Sequence, residues 1–180
     1  MSSLKNKSTF LLDMDGTIFL GNELIEGALD FLSAIKKSGR RYIFLTNNSS
    51  KNKSIYVEKL RNLGIDAEQE EIFTSGEATT RYLKRQHKGA KVYLLGTPAL
   101  EEEFIAEGFD VIKERGQEVD FVVLGFDTTL TYEKLWGACE YISKGVEYIA
   151  THPDFNCPLP QGAFMPDAGA MAALIEASTG

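Results

Sequence analysis

The sequence predicts an α/β fold with parallel strands, and three observations carry the prediction. Short apolar runs recur along the chain at Thr9 to Leu12, Tyr42 to Leu45, Val92 to Leu95, Phe121 to Leu124 and Tyr148 to Ala150. Amphipathic helical patterns lie between them, and glycines such as Gly39, Gly64 and Gly145 stand where those patterns stop. Alternation of this kind implies strands joined by crossover helices rather than hairpins.

Taken in order, Thr9 to Leu12 and Tyr42 to Leu45 read as buried strands. Between them Leu29, Leu32 and Ile35 recur at helical spacing from Ala28, and Gly39 supplies a left-handed stop after Lys36 and Lys37. A second helix follows, with Ser49 or Ser50 as its cap, Tyr56, Leu60 and Leu63 as its buried stripe, and Gly64 at its end. Ile72 to Thr74 adds a third short strand, and a helix near Glu77 to Arg85 leads into a second alternating region. There the strands are the three later runs plus a weaker one around Val111. Thr97-Pro98 makes a cap and first-turn pair, Thr131 opens a helix with Leu135, Ala138 and Ile142 inward, and a last helix runs near Gly169 to Ala177.

Composition narrows the classes of function. The chain has 180 residues, 43% hydrophobic and 25% charged, which is ordinary for a folded protein. Its net charge of -7 and scattered lysines disfavour a nucleic-acid partner. The first residues lack the apolar core of a secretory leader, and no run approaches the ~20 apolar residues that span a bilayer. A cytoplasmic protein with no membrane partner is expected. Cys139 and Cys157 have no metal-ligand spacing and read as two reduced thiols.

The chemistry lies in Phe10-Leu11-Leu12-Asp13-Met14-Asp15-Gly16-Thr17, where two acids one residue apart end a strand. Ligands of open α/β sheets sit at such carboxyl ends. Residues two apart in an extended segment project to the same side, so Asp13 and Asp15 can share a cleft. At about 4 Å and an effective dielectric near 20, two such charges repel by roughly 4 kcal/mol, which favours a bound cation or a shared proton. Asp13 can attack phosphorus, Asp15 can give and take the proton, Gly16 frees the following amides as an anion cradle, and Mg2+ suits the oxygen donors. Acids after a strand also serve as turn formers or caps, and no Lys or Arg lies between Thr9 and Asn22 to pair with them. An EF-hand beginning at Asp13 is excluded because Ile18 and Leu24 occupy the positions that need Gly and Glu. Thr46-Asn47-Asn48-Ser49 offers hydroxyl and amide donors at the end of the second strand, or simply a helix cap.

With both segments in hand, the sequence resembles the haloacid dehalogenase (HAD) superfamily, whose first motif is an apolar strand followed by DxDGT and whose second is a strand ending in Thr or Ser. Ile43 to Ser50, Ile72-Phe73-Thr74-Ser75-Gly76-Glu77-Ala78, Leu130 to Leu135 and Ala150-Thr151-His152-Pro153-Asp154 resemble its NagD-like, p-nitrophenyl phosphatase-like branch (subfamily IIA). The resemblance implies a Rossmann-like core, incomplete in this chain and represented by residues 1 to 78, with an inserted α/β cap domain at 79 to 180. It implies Asp13 as nucleophile and metal ligand, and Asp15 as acid-base and as metal ligand through its carbonyl. Phosphate would be bound by Asp13, Met14, Asp15, Gly16, Thr46 and Asn47. His152 and Asp154 in the loop from Thr151 to Phe164 become specificity candidates, while Phe155 and Phe164 read as packing residues.

The expected activity is Mg2+-dependent hydrolysis of a small phosphomonoester, a sugar phosphate, nucleotide or similar metabolite, through an aspartyl-phosphate. The alternative is a catalytically lapsed module that binds a phosphorylated metabolite, and a homo-oligomer stays open. The family also uses a lysine and an acidic metal-binding motif after the cap, and no Gly-Lys-Pro or Gly-Asp pair occurs in the 180 residues. The chain thus reads as part of a longer protein, weak or inactive alone. Turnover compared with a chain extended past Gly180 tests this, and equal rates would contradict it.

Overall fold

A computed structural model describes residues 6–180. The reading of the first residues as no leader therefore falls partly, at 1–5, outside the described residues. The chain divides into two compact units. One holds the described residues up to Thr46, with Lys53–Phe73 and Leu159–Gly162; the other holds Asn47–Asn52, Thr74–Pro158 and Ala163–Gly180.

The first unit carries β1 (Thr9–Asp13), β2 (Phe19–Leu20), β3 (Glu23–Leu24), α1 (Ala28–Lys37), β4 (Arg41–Thr46), α2 (Lys53–Asn62) and β5 (Ile72–Thr74). Its main sheet has the order β1-β4-β5, and β1 runs parallel to β4 with Asp13 opposite Leu45. β2 and β3 form a small antiparallel pair that the sequence reading did not anticipate. Met14, Phe19, Leu32, Phe44, Tyr56 and Leu60 build the core.

Two expectations about this core shift. β4 is buried through Tyr42, Phe44 and Thr46, but β1 is an edge strand and its Leu11 is 63% exposed. In α1 the buried positions are Ala28, Leu32 and Ile35, whereas Leu29 is 45% exposed. The helix turns its Ala28 face to the sheet, which lies one step from the predicted stripe.

The second unit carries α3 (Ser75–Gln86), β6 (Lys91–Leu95), α4 (Pro98–Ala106), β7 (Asp110–Ile112), β8 (Phe121–Leu124), α5 (Tyr132–Ser143), β9 (Glu147–Ala150), β10 (Asn156–Pro158), β11 (Phe164–Pro166) and α6 (Ala168–Thr179). Four parallel strands form one sheet in the order β7-β6-β8-β9. β6 and β8 are central and buried on both faces, which explains their unbroken apolar runs. Apolar clusters cover both faces, one around Leu100 and Phe104, the other around Tyr93, Ala138 and Ile175.

Local capping signals hold here. Thr97 accepts from the Leu100 amide at 3.4 Å with Pro98 in the first turn, and Thr131 accepts from the Lys134 amide at 3.2 Å. β10 and β11 form an antiparallel hairpin where the sequence suggested only a loop. Phe155, just before β10, and Phe164, the first residue of β11, are 61% and 66% exposed, so neither serves the packing role expected of it. Cys139 and Cys157 are free thiols. Among the described residues no helix is long and apolar enough to cross a membrane.

One glycine secures the loop that carries Asp154. The Gly169 amide donates to the Asp154 carbonyl at 2.7 Å, and a Cβ at Gly169 would run into the Pro153 carbonyl oxygen. Because backbone would have to move, Gly169→Ala is expected to cost about 2 kcal/mol, as overpacked sites do. A thermal melt checks it, with a fall of roughly 4–8 °C expected.

Candidate active site

Asp13 closes β1, and Thr46 closes the neighbouring parallel strand β4 one step beyond Asp13's partner Leu45. The two therefore stand at the carboxyl ends of adjacent strands, the usual ligand-binding edge of such sheets. Their side chains follow different faces of the pleat. Asp13 continues the exposed face of Leu11, whereas Thr46 follows Tyr42 and Phe44 onto the buried face and is itself buried.

A tight turn follows Asp13. The Ile18 and Phe19 amides both donate to the Met14 carbonyl, at 2.9 and 3.2 Å, and the Gly16 amide donates to the Phe19 carbonyl at 2.7 Å. Gly16 has φ of 83°, a left-handed conformation that glycine adopts without strain. The Thr17 amide also donates to Met14, at 3.2 Å. Four successive amides thus hold the turn together. That differs from the expectation that Gly16 leaves the following amides free for an anion.

Two side chains unforeseen in the sequence reading address the carboxylates. The Thr17 hydroxyl donates to Asp13 Oδ2 at 3.0 Å and so fixes which oxygen turns outward. Lys59 Nζ from α2 lies 3.7 Å from Asp15 Oδ1 and 3.7 Å from the centroid of the buried Phe19 ring. Asp15 is bridged through its backbone to Phe19, so the ring and the ammonium hold one corner of the turn from both sides. Asp15, with no cation in its own segment, meets one 44 residues on, where only the fold could reveal it. Among the described residues no three His, Cys, Asp or Glu side chains cluster as a metal cage.

The remaining candidates belong to the second unit. Asn47 is exposed, its carboxamide donates to Asp154 Oδ2, and its carbonyl accepts from Ser75 Oγ at 2.5 Å. Asp154 is exposed as well. His152 is not: it is buried, with Nδ1 3.0 Å from Thr151 Oγ1 and Nε2 2.8 Å from Asp167 Oδ1. Both ring nitrogens are committed inside the unit, which departs from the expectation of a histidine facing substrate. Ser49 and Ser50 do not cap α2 either. Ser49 Oγ accepts from the Phe126 amide at 2.8 Å and bonds Thr151, while Ser50 turns its amide and hydroxyl onto Asn48 Oδ1.

A family model for haloacid dehalogenase-like hydrolases matches residues 10–110, more than half of the chain and the stretch that contains β1, the turn and β4. The chain belongs to the haloacid dehalogenase-like hydrolases. Within them it falls in the NagD-like branch, whose named relatives are phosphatases. It is 39% identical over 177 residues to an acid sugar phosphatase of Staphylococcus aureus, covering 98% of this chain and 67% of the relative. Among solved structures, a 4-nitrophenylphosphatase of Thermotoga maritima is 49% identical with a TM-score of 0.89, covering 96% of this chain and 64% of its own. A glycerol phosphate phosphatase of Mycobacterium tuberculosis, in complex with magnesium, is 31% identical with a TM-score of 0.88, covering 96% and 52%. This HAD chain therefore spans about two thirds or less of the length of these relatives.

Proposed function

We propose that the protein hydrolyses a small phosphomonoester of the sugar-phosphate class through an aspartyl-phosphate on Asp13. The observation that carries the reading is the carboxylate pair at the end of β1, with one oxygen of Asp13 tethered by Thr17 and the carboxyl end of β4 alongside. The relatives' names support the substrate class, since they act on sugar phosphates, glycerol phosphate or an aryl phosphate.

In the first step Asp13 Oδ1 forms a bond to phosphorus while the bond to the leaving oxygen breaks, and Asp15 delivers its proton to that oxygen. In the second, water attacks phosphorus, Asp15 takes the proton, and the Asp13 carboxylate departs. Met14, Thr46 and Asn47 are assigned to the phosphate oxygens, while Gly16, its amide taken up by the Phe19 carbonyl, shapes the turn that follows Asp13. Residues 79–180 take the part of a cap that selects the leaving group, with the exposed Asp154 as the side chain that reads it and His152 acting from within.

A carboxylate and a backbone carbonyl are oxygen donors of the kind that fit Mg2+, which keeps several waters and binds through one or two carboxylates together with substrate phosphate. Asp13 and the Asp15 carbonyl would hold it. When bound it supplies charge neutralisation between the carboxylate and the incoming phosphate. Phosphate release from glycerol phosphate and hexose phosphates by the full-length protein is therefore expected with Mg2+. A chelator should abolish it and added Mg2+ restore it, and turnover that survives chelation would contradict the assignment.

A further inference from the structure

The segment that follows Thr46 is built into the second unit by side chains that the proposed chemistry does not use. It crosses the carboxyl ends of three parallel strands. After β6, Thr97 Oγ1 donates to the Ser50 carbonyl at 2.9 Å; after β8, the Phe126 amide donates to Ser49 Oγ at 2.8 Å; after β9, Thr151 Oγ1 lies 2.9 Å from Ser49 Oγ.

From Thr151 the bonding runs inward to His152 and ends at Asp167, which also accepts from the Ala168 amide at 2.6 Å. The donors can be assigned along the whole path. The Phe126 amide donates to Ser49, the Ser49 hydroxyl to Thr151, the Thr151 hydroxyl to His152 Nδ1, and His152 Nε2–H to the Asp167 carboxylate. A neutral imidazole with its proton on Nε2 satisfies every member. Ser49, His152 and Asp167 are 1%, 6% and 4% exposed, so any member lost leaves its neighbours without water to replace it.

We propose that the chain of Ser49, Thr151, His152 and Asp167 positions the segment from Asn47 to Ser50, and with it the donors of Asn47 for a phosphate oxygen. The inference rests on the phosphatase reading above and assigns Thr151, His152 and Asp167 a positioning role rather than a catalytic one. It explains why the histidine next to the exposed Asp154 is itself buried. An Asn at 152 keeps the end toward Thr151, with its carbonyl accepting the Thr151 hydroxyl, but is too short to replace the bond from Nε2 to Asp167.

The test uses the full-length protein, 4-nitrophenyl phosphate as substrate and inorganic phosphate as competitive inhibitor. Thr151→Val and His152→Leu are each expected to raise KM and the phosphate inhibition constant by about tenfold, the effect of one well-placed hydrogen bond, with kcat within about threefold. The double variant should be no worse than either single one, because both break the same path. His152→Asn, which keeps the acceptor for Thr151, should restore part of the loss, and hydrogen exchange should quicken at 47–50 in the two broken variants. Should His152→Leu fail to fold, Ser49→Ala carries the same expectation from the far end of the path. Folded variants with unchanged KM and inhibition constant overturn the inference, even if exchange quickens, as does a fall in kcat alone. Turnover retained by Asp13→Asn would instead remove the reading beneath it; an inactive Asp13→Asn beside kinetically normal Thr151→Val removes only the positioning role.

Discussion

Asp13→Asn is expected to lower turnover of any phosphomonoester by about four orders of magnitude or more, as loss of a covalent nucleophile does in other hydrolases. The substitution keeps the size of the side chain and an oxygen for the Thr17 hydroxyl, which now donates to Asp13 Oδ2 at 3.0 Å. Fold and ester binding should therefore persist while bond formation to phosphorus stops. The contrast with Asp15→Asn is informative. That variant keeps the nucleophile but cannot deliver a proton, so an aryl phosphate with a good leaving group should suffer less than glycerol phosphate. Steady-state rates with the two esters check both variants. Equal losses on both esters for Asp15→Asn would deny it the acid's part.

Lys134→Met is expected to produce a large loss of stability in the second unit, about 3 kcal/mol, the scale for stripping one partner from a buried ion pair. Lys134 Nζ lies 2.7 Å from Asp127 Oδ2, and the Asp127 side chain is 0% exposed. The same ammonium donates to the Gly96 carbonyl at 2.8 Å and to Thr129 Oγ1 at 3.2 Å, tying the end of β6 to the loop after β8. Without it Asp127 keeps only the Thr129 amide and hydroxyl, at 2.9 and 2.6 Å, two neutral donors for a buried charge. A melt should show the transition lowered by roughly 6–12 °C. Adding Asp127→Asn to Lys134→Met should recover part of this by removing the stranded charge. A double variant less stable than the single one would refute that explanation.

Much of the architecture was legible because its causes are local. β4, β6, β8 and β9 announce themselves as apolar runs. Thr97 and Thr131 cap helices that begin at the next residue, so their signal needs no knowledge of the fold. The carboxylate pair was legible for the same reason, being set by a strand end and a glycine turn. What escaped depends on pairing at a distance. Leu11 reads as buried until the order β1-β4-β5 places it on an edge strand. β2, β3, β10 and β11 are two or three residues long, too short for alternation to show. Ser49 looks like a helix cap, and its true partners, Phe126 and Thr151, lie 77 and 102 residues away. Lys59 sits inside an ordinary amphipathic helix, and nothing in α2 signals that it meets Asp15.

Trapping the acyl-phosphate tests covalent catalysis at Asp13 without recourse to variants. The full-length protein, quenched in acid during turnover and reduced with borohydride, should yield a peptide in which residue 13 alone has lost its carboxylate to an alcohol, as read by mass spectrometry. Modification at Asp13 is expected with Mg2+ and ester present, and none when either is withheld. Sustained turnover with residue 13 unmodified, or with the reduced residue elsewhere, would contradict that expectation.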